Sequence, residues 1–276
     1  MARSSRYEVV LDASLFSPTQ LHPTAVGRIG FQAGTRWLRD HVASHRTLVA
    51  EHQVGLVLWA WQLEYERPLR FHEADEVQVE VDAKVRGPHA SQLEVAMTLS
   101  GPDGVAVRTR AASVPLRLSG DQALSGSPAG LPADLLARFE PDEVERAPYR
   151  SPVPALRAEL ARQGGQLASG TAEFRVHRHH CEVADQWYWA ESLGFAAGSR
   201  EELLRTNGGR VPELRRALSE GIRRLDVTWL RAGQLWDLLQ VRTTAHRYGT
   251  GLAFVHELVS AEEDGGGPYA IVVERT

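Results

Sequence analysis

One stretch of this chain occurs twice. Leu63–Gly87, slid by 162 positions without a gap, falls on Leu225–Gly249. Six residues are then identical: Leu63/Leu225, Asp75/Asp237, Gln78/Gln240, Val79/Val241, Ala83/Ala245 and Gly87/Gly249. Apolar character also agrees at Tyr65/Val227, Pro68/Leu230 and Val77/Leu239. Two unrelated amphipathic strands would share about two or three identities in such a window, so six with matched polarity favour a repeat. The 276 residues suit two domains better than one.

The order of elements supports the duplication. Tyr7–Leu11 reads as a short strand, and a loop with Ser17, Pro18, His22 and Pro23 follows. Ala25–Ala43 is a predicted helix, with Val26, Ile29, Ala33, Trp37 and Leu38 near helical spacing. Alternating runs at Gln53–Glu66, Glu76–Val85, Gln92–Ser100 and Val105–Leu118 predict strands, separated by turn signals such as Gly87-Pro88. In the second half a strand is expected over Glu173–Glu182. Helix is expected from Asp185 to Ala196 and from Ser199 to Glu220, with Pro212 at a break or start. Strands are expected at Gly221–Val227, Trp236–Ala245, Leu252–Ala261 and Tyr269–Glu274, and a loop at Asp264–Pro268. Residues 1–118 and 171–276 are thus the two domains. Residues 119–170 join them as a partly helical linker, with helical segments at Ala133–Arg138 and Pro152–Arg162.

Composition narrows the function classes. A net charge of -4 gives no general attraction to nucleic acid or anionic membrane. Cys181 is the single cysteine, so neither an intrachain disulfide nor a cysteine zinc cluster can form. That usage suits a reducing compartment and predicts a cytoplasmic protein. No apolar run follows Met1–Arg6 as in a signal peptide, and no run reaches about 18 apolar residues. Abundant Arg and Ala beside a single Lys, Lys84, suggest a bacterial source. There is no Gly-x-Ser-x-Gly elbow, P-loop or dinucleotide fingerprint. Gly27, Gly30 and Gly34 on the first helix point instead to close packing against a sheet or a partner helix.

Strand, loop, long helix, then four antiparallel strands is the hotdog order. The segment from Leu63 through Pro68 and Asp75 to Val79 resembles the sheet of hotdog thioesterases, and Leu225–Val241 resembles it again, with Leu230 in place of the proline. In outline the whole chain is similar to acyl-carrier-protein thioesterases carrying two hotdogs. It is also similar to hotdog acyltransferase-decarboxylases of polyketide pathways. The resemblance implies an α+β fold: a tandem double hotdog of two antiparallel sheets, each wrapped around a long helix. It implies hydrolysis of an acyl-ACP or acyl-CoA thioester in fatty-acid or polyketide metabolism, with no cofactor and no metal. Acyl transfer with decarboxylation, and acyl binding without catalysis, stay open as alternatives, and so does a homodimer.

In that family an Asp-x-x-Gly-His motif leads into the helix, whose first N–H groups polarise the thioester carbonyl while a carboxylate activates water. Neither half keeps it intact. In the second half Glu182 takes the carboxylate position, with Asp185 and Gln186 at the Gly and His positions; in the first, Gln20-Leu21-His22 resembles the Gly-His step, and Pro18 replaces the acid. The motif thus singles out Glu182 and His22 as candidate catalytic residues, and His180, two residues before Glu182 and on its expected strand face, joins them as a candidate general base or orienting group. Candidate substrate-binding residues are Asp185, Gln186, Trp187 and Tyr188. Each has a competing explanation: a strand-end carboxylate for Glu182, a helix cap for Asp185, core packing for the Trp187-Tyr188-Trp189 run. His177, His179 and His180 could suggest a metal, but strand alternation would separate them onto two faces. Cys181 beside His180 could suggest a nucleophile, against the commoner case of a buried structural thiol.

Overall fold

The computed structural model describes residues 3–119, 126–182, 185–262 and 266–276. The chain divides into two compact units, Met1–Arg150 and Ser151–Thr276. Residues 120–125 of the expected linker and 264–265 of the expected loop lie outside the described residues.

The first unit runs β1 (Ser4–Val10), α1 (Pro23–His41), α2 (His45–His52), β2 (Val54–Tyr65), β3 (Glu76–Arg86), β4 (Gln92–Gly101), β5 (Gly104–Leu118), β6 (Gly126–Pro128), α3 (Ala133–Leu136) and β7 (Val144–Glu145). Its antiparallel sheet has the order β1-β3-β4-β5-β2; β6 pairs antiparallel with the end of β5, and β7 lies parallel to β3. Period-two patterning builds β3, whose Val77, Val79, Val81, Ala83 and Val85 are all buried. Helix α1 starts with Pro23 at a position where a missing N–H costs nothing. It buries Val26, Ile29, Ala33 and Trp37 on one stripe. The close approach expected at its glycines is present: a Cβ on Gly34 would lie 3.2 Å from Val95 Cγ1, and one on Gly30 would lie 3.4 Å from Met97 Cε.

The second unit runs α4 (Val153–Gln163), β8 (Gln166–Arg175), α5 (Glu191–Asn207), α6 (Pro212–Ala217), β9 (Arg224–Trp229), β10 (Leu238–Tyr248), β11 (Gly251–Ser260) and β12 (Ala270–Arg275). Its sheet order, β8-β10-β11-β12-β9, is that of the first unit strand for strand. Both faces are covered. Leu203, Leu204, Leu214 and Ala217 of α5 and α6 pack on Ala245, Leu252 and Phe254, and Val153, Leu156 and Leu160 of α4 pack on Ala253, Val255, Ile271 and Val273. The segment 119–170 is thus shared out: β6, α3 and β7 belong to the first unit, α4 and the start of β8 to the second.

Strand β10 occupies the positions of β3 shifted by 162. Gly87 and Gly249, at φ of 78° and 57°, follow the two strands with the left-handed backbone that glycine tolerates best. The Leu11 N–H bonds the carbonyl of Asp75 at 2.8 Å, and the Val176 N–H that of Asp237 at 2.9 Å. The ungapped alignment needs one correction. The N–H groups of Glu66 and Arg67 both reach the Ala106 carbonyl, while those of Leu230 and Arg231 both reach that of Tyr269. Tyr65 therefore corresponds to Trp229, not to Val227. The segment 230–237 is two residues shorter than 66–75, and a slip of two keeps every side chain on its face.

Two further expectations are overturned. The strand expected at Glu173–Glu182 ends at Arg175, and Arg178–His180 form a 3-10 turn. The helix expected from Asp185 starts at Glu191, because Cys181 and Trp187 first pair in an antiparallel bridge. In the first half α2 was not anticipated; its cap is Ser44, whose hydroxyl accepts the Thr47 N–H at 3.1 Å.

Candidate functional site

The entry into the long helix is built alike in both units. After β1, Ala13–Leu15 form a 3-10 turn and Phe16 bridges Leu21; after β8, Arg178–His180 turn and Cys181 bridges Trp187. The Ser17 N–H bonds the Gln20 carbonyl, and the Glu182 N–H bonds that of Gln186, each at 2.8 Å. Leu21 N–H docks on Leu69 and Trp187 N–H on Gly233. Glu182 thus stands where the first unit has Ser17. Pro18 does not occupy that place, as the motif count had implied.

The second-unit loop carries His180, Cys181 and Glu182 in succession. Glu182 is half-buried, and that burial raises its carboxyl above the usual value. Burial likewise lowers His180, helped by His179 and His177 and opposed by Glu191. His180 Nδ1 accepts the His177 N–H at 3.0 Å. That bond uses the Nδ1 lone pair, so the neutral ring carries its proton on Nε2. The His180 ring meets Phe195 of α5 edge-on, with centroids 5.2 Å apart. Burial raises the Cys181 thiol, which favours the unreactive protonated form; its Sγ lies 3.5 Å from the His177 carbonyl.

The other candidates separate by role. Asp185 is exposed, at a φ of 53°, and pairs with Arg178 at 2.9 Å. It caps no helix. Gln186 bridges Gln234 through the backbone. Trp187 is core, between Phe195 at 5.9 Å and Tyr269 at 5.6 Å, and Gly233 leaves room for its ring. Tyr188 is half-buried with its ring 5.2 Å from Trp189. His22 belongs to the first unit, as the residue before α1; its carbonyl accepts the Val26 N–H at 3.0 Å. The turn gathers His177, His179 and His180 instead of splitting them by strand alternation, with the rings of His179 and His180 3.9 Å apart. Among the described residues no three such side chains are arranged to hold a metal ion.

Trp236 escaped the sequence reading. It is 58% exposed at a φ of 77°, and its ring meets His177 edge-on at 5.8 Å. Left-handed backbone at such a residue costs about 1–3 kcal/mol. Two bonds hold it there: its N–H donates to Val176 and its carbonyl accepts from Arg175 Nη1. The signal was present in the repeat, since Trp236 falls on Ala74 one residue before the matched aspartates.

Comparison with solved structures gives the fold. A Lactobacillus plantarum protein assigned as an oleoyl thioesterase is 11% identical, with a TM-score of 0.71 over 99% of this chain and 95% of its own. An acyl-ACP thioesterase from Bacteroides thetaiotaomicron is 13% identical, with a TM-score of 0.65 over 98% of this chain and 96% of its own. The chain has a double-hotdog fold. The 12:0-ACP thioesterase from Umbellularia californica has the same architecture at 10% identity, with a TM-score of 0.64 over 98% of this chain and 96% of its own. No protein-family profile and no curated protein sequence matches this double-hotdog chain. Among the described residues no helix is long and apolar enough to cross a membrane.

Proposed function

We propose that this double-hotdog protein hydrolyses an acyl-ACP or acyl-CoA thioester, and that the chemistry belongs to the entry loop of the second unit. The observation that carries the activity is the likeness, end to end, to three thioesterases of the same two-unit build. The chemistry of the loop supports the placement. Glu182 is the base: a carboxylate whose burial raises its proton affinity takes a proton from water more readily at neutral pH. His180 is neutral there, and its Nε2–H donates to the carbonyl oxygen as negative charge develops. Water attacks the thioester carbon, Glu182 accepts the proton, and the tetrahedral intermediate expels the thiolate, which recovers that proton. Trp236 offers the acyl or pantetheine arm an exposed aromatic face beside the loop. Fatty-acid or polyketide metabolism is the setting in which such substrates arise.

The test is free-thiol release from a panel of acyl-CoA and acyl-ACP thioesters, parent against Glu182→Gln. Hydrolysis by the parent and its loss in the variant support both halves of the proposal. Thiol release only with an acyl acceptor present would mean transfer, and no release with retained acyl-chain binding would mean a binding protein.

A further inference from the structure

Under α5 lies a chain of buried polar groups for which the proposed chemistry has no use. Arg200 Nη1 donates to Glu274 Oε2 at 2.5 Å, and Glu274 is buried on β12. His256 on β11, fully buried, has its Nε2 3.4 Å from the same oxygen, a close polar contact that is not aligned as a hydrogen bond. Its Nδ1 is 2.8 Å from Thr243 Oγ1 on β10, which in turn is 2.7 Å from Ser199 Oγ on α5. The chain therefore begins and ends on neighbouring residues of the helix and runs through three strands between them.

The first unit shows what this interface needs for packing alone. Thr243 pairs across the strands with His256, and His256 with Val272; the matching pairs are Val81 with Met97, and Met97 with Thr109. Glu274, two residues past Val272, corresponds to Ala111. Valine, methionine and alanine thus suffice there. Replacing buried ion pairs by apolar side chains of similar size is often neutral or stabilising, so stability does not explain the second unit's choice. Directional bonds do what apolar contacts cannot: they define one depth and one rotation for the helix.

That placement reaches the candidate site. Phe195 lies four residues before Ser199, about 6 Å up the helix, and its ring covers His180. We propose that the network from Ser199 through Thr243, His256 and Glu274 to Arg200 is a positioning device that holds Phe195 against His180. Its bearing on catalysis rests on the role given to His180 above. The groups around His180 are Phe195, His177, His179 and Glu191, and loosening Phe195 would let water reach the ring.

The test replaces the network in the full chain by Arg200→Met, Thr243→Val, His256→Met and Glu274→Leu together. The His180 imidazole, followed by NMR titration, should move up toward the usual histidine value. On a thioester that the parent hydrolyses, kcat should fall roughly tenfold to a hundredfold, with KM changed less than about twofold. Thr243→Val alone cuts only the hydroxyl link; should the fourfold variant fail to fold, it must show the same two changes at smaller size. An unmoved His180 titration in a folded variant overturns the proposal whatever the activity does. A moved titration with intact kcat overturns its bearing on the reaction. If the parent releases no thiol from any thioester, the reading of function fails, and the titration still decides whether the network positions His180.

Discussion

Where α1 meets its sheet, Gly34 faces Val95 and Gly30 faces Met97. Where α5 meets its sheet, Ser199 and Arg200 face Thr243, His256 and Glu274. The order of the five main strands beneath is the same, and the entry loops above share a 3-10 turn and a bridge. One interface is held by dispersion and apolar burial, which depend on fit; the other adds bonds that depend on direction. The helix with the directional bonds is the one whose loop carries Glu182 and His180. The lesson is that copies of one fold can share the order of their five main strands and still differ in how firmly each helix is indexed to its sheet.

The largest expected effect contrasts the two entry loops. Glu182→Gln should reduce thioester hydrolysis by roughly 10²–10⁴-fold, while Ser17→Ala, at the matching place in the first unit, should leave the thiol-release rate unchanged. Equal losses in both would erase the asymmetry. Next comes the ion pair. Arg200→Met alone strands a buried carboxylate and should cost about 3–5 kcal/mol in urea unfolding. Met97→Leu, at the first unit's counterpart of His256, conserves volume and should cost less than about 1.5 kcal/mol.

An acid titration sharpens the contrast further. Arg200 and His256 hold Glu274 down from 4.5 to about 2, against a burial effect in the opposite direction. A depressed carboxyl contributes stability that is present above 4.5 and lost as pH falls toward 2. Glu143, bonded by Arg3 in the first unit, is also held at about 2. Each of Glu274→Gln and Glu143→Gln should flatten part of the stability loss in that window, measured by thermal melts at stepped pH. If only Glu143→Gln does so, the network under α5 is not the charged system described. The smallest effect concerns glycines. Gly34→Ala forces a Cβ to 3.2 Å from Val95 and should lower Tm. Gly198→Ala meets Phe174 at an ordinary 3.4 Å and should raise it, through a helix-propensity gain of up to about 1 kcal/mol.

Most strands were legible because alternation survives in them. The run expected at Glu76–Val85 is β3 to within one residue, and the 162-residue offset places β10 without adjustment. The entry loop was not legible, for two physical reasons. Its register depends on backbone bonds from Trp187 to Gly233 and from Leu235 to Asp185, and long-range pairing of this kind leaves no periodicity. The run of Trp187, Tyr188 and Trp189 also looks helical, although Trp187 is spent on a bridge and on the core. Glu182 was singled out through the family likeness and His180 through its place beside Glu182, whereas the contacts of Phe195 and Trp236 with this loop came only from the fold. The buried network was invisible as well: Ser199, Thr243, His256 and Glu274 are far apart in sequence, and each looks like an ordinary polar residue.

The two-residue difference between the segments 66–75 and 230–237 bears on how such a chain can change length. Residues 230–237 are connection and not strand, so the pairing of β10 with β8 and β11 keeps Val241 buried whatever the length of this corner. A peptide tag or sensor loop grafted after Trp229 should therefore be tolerated, at a cost that grows only slowly with its length.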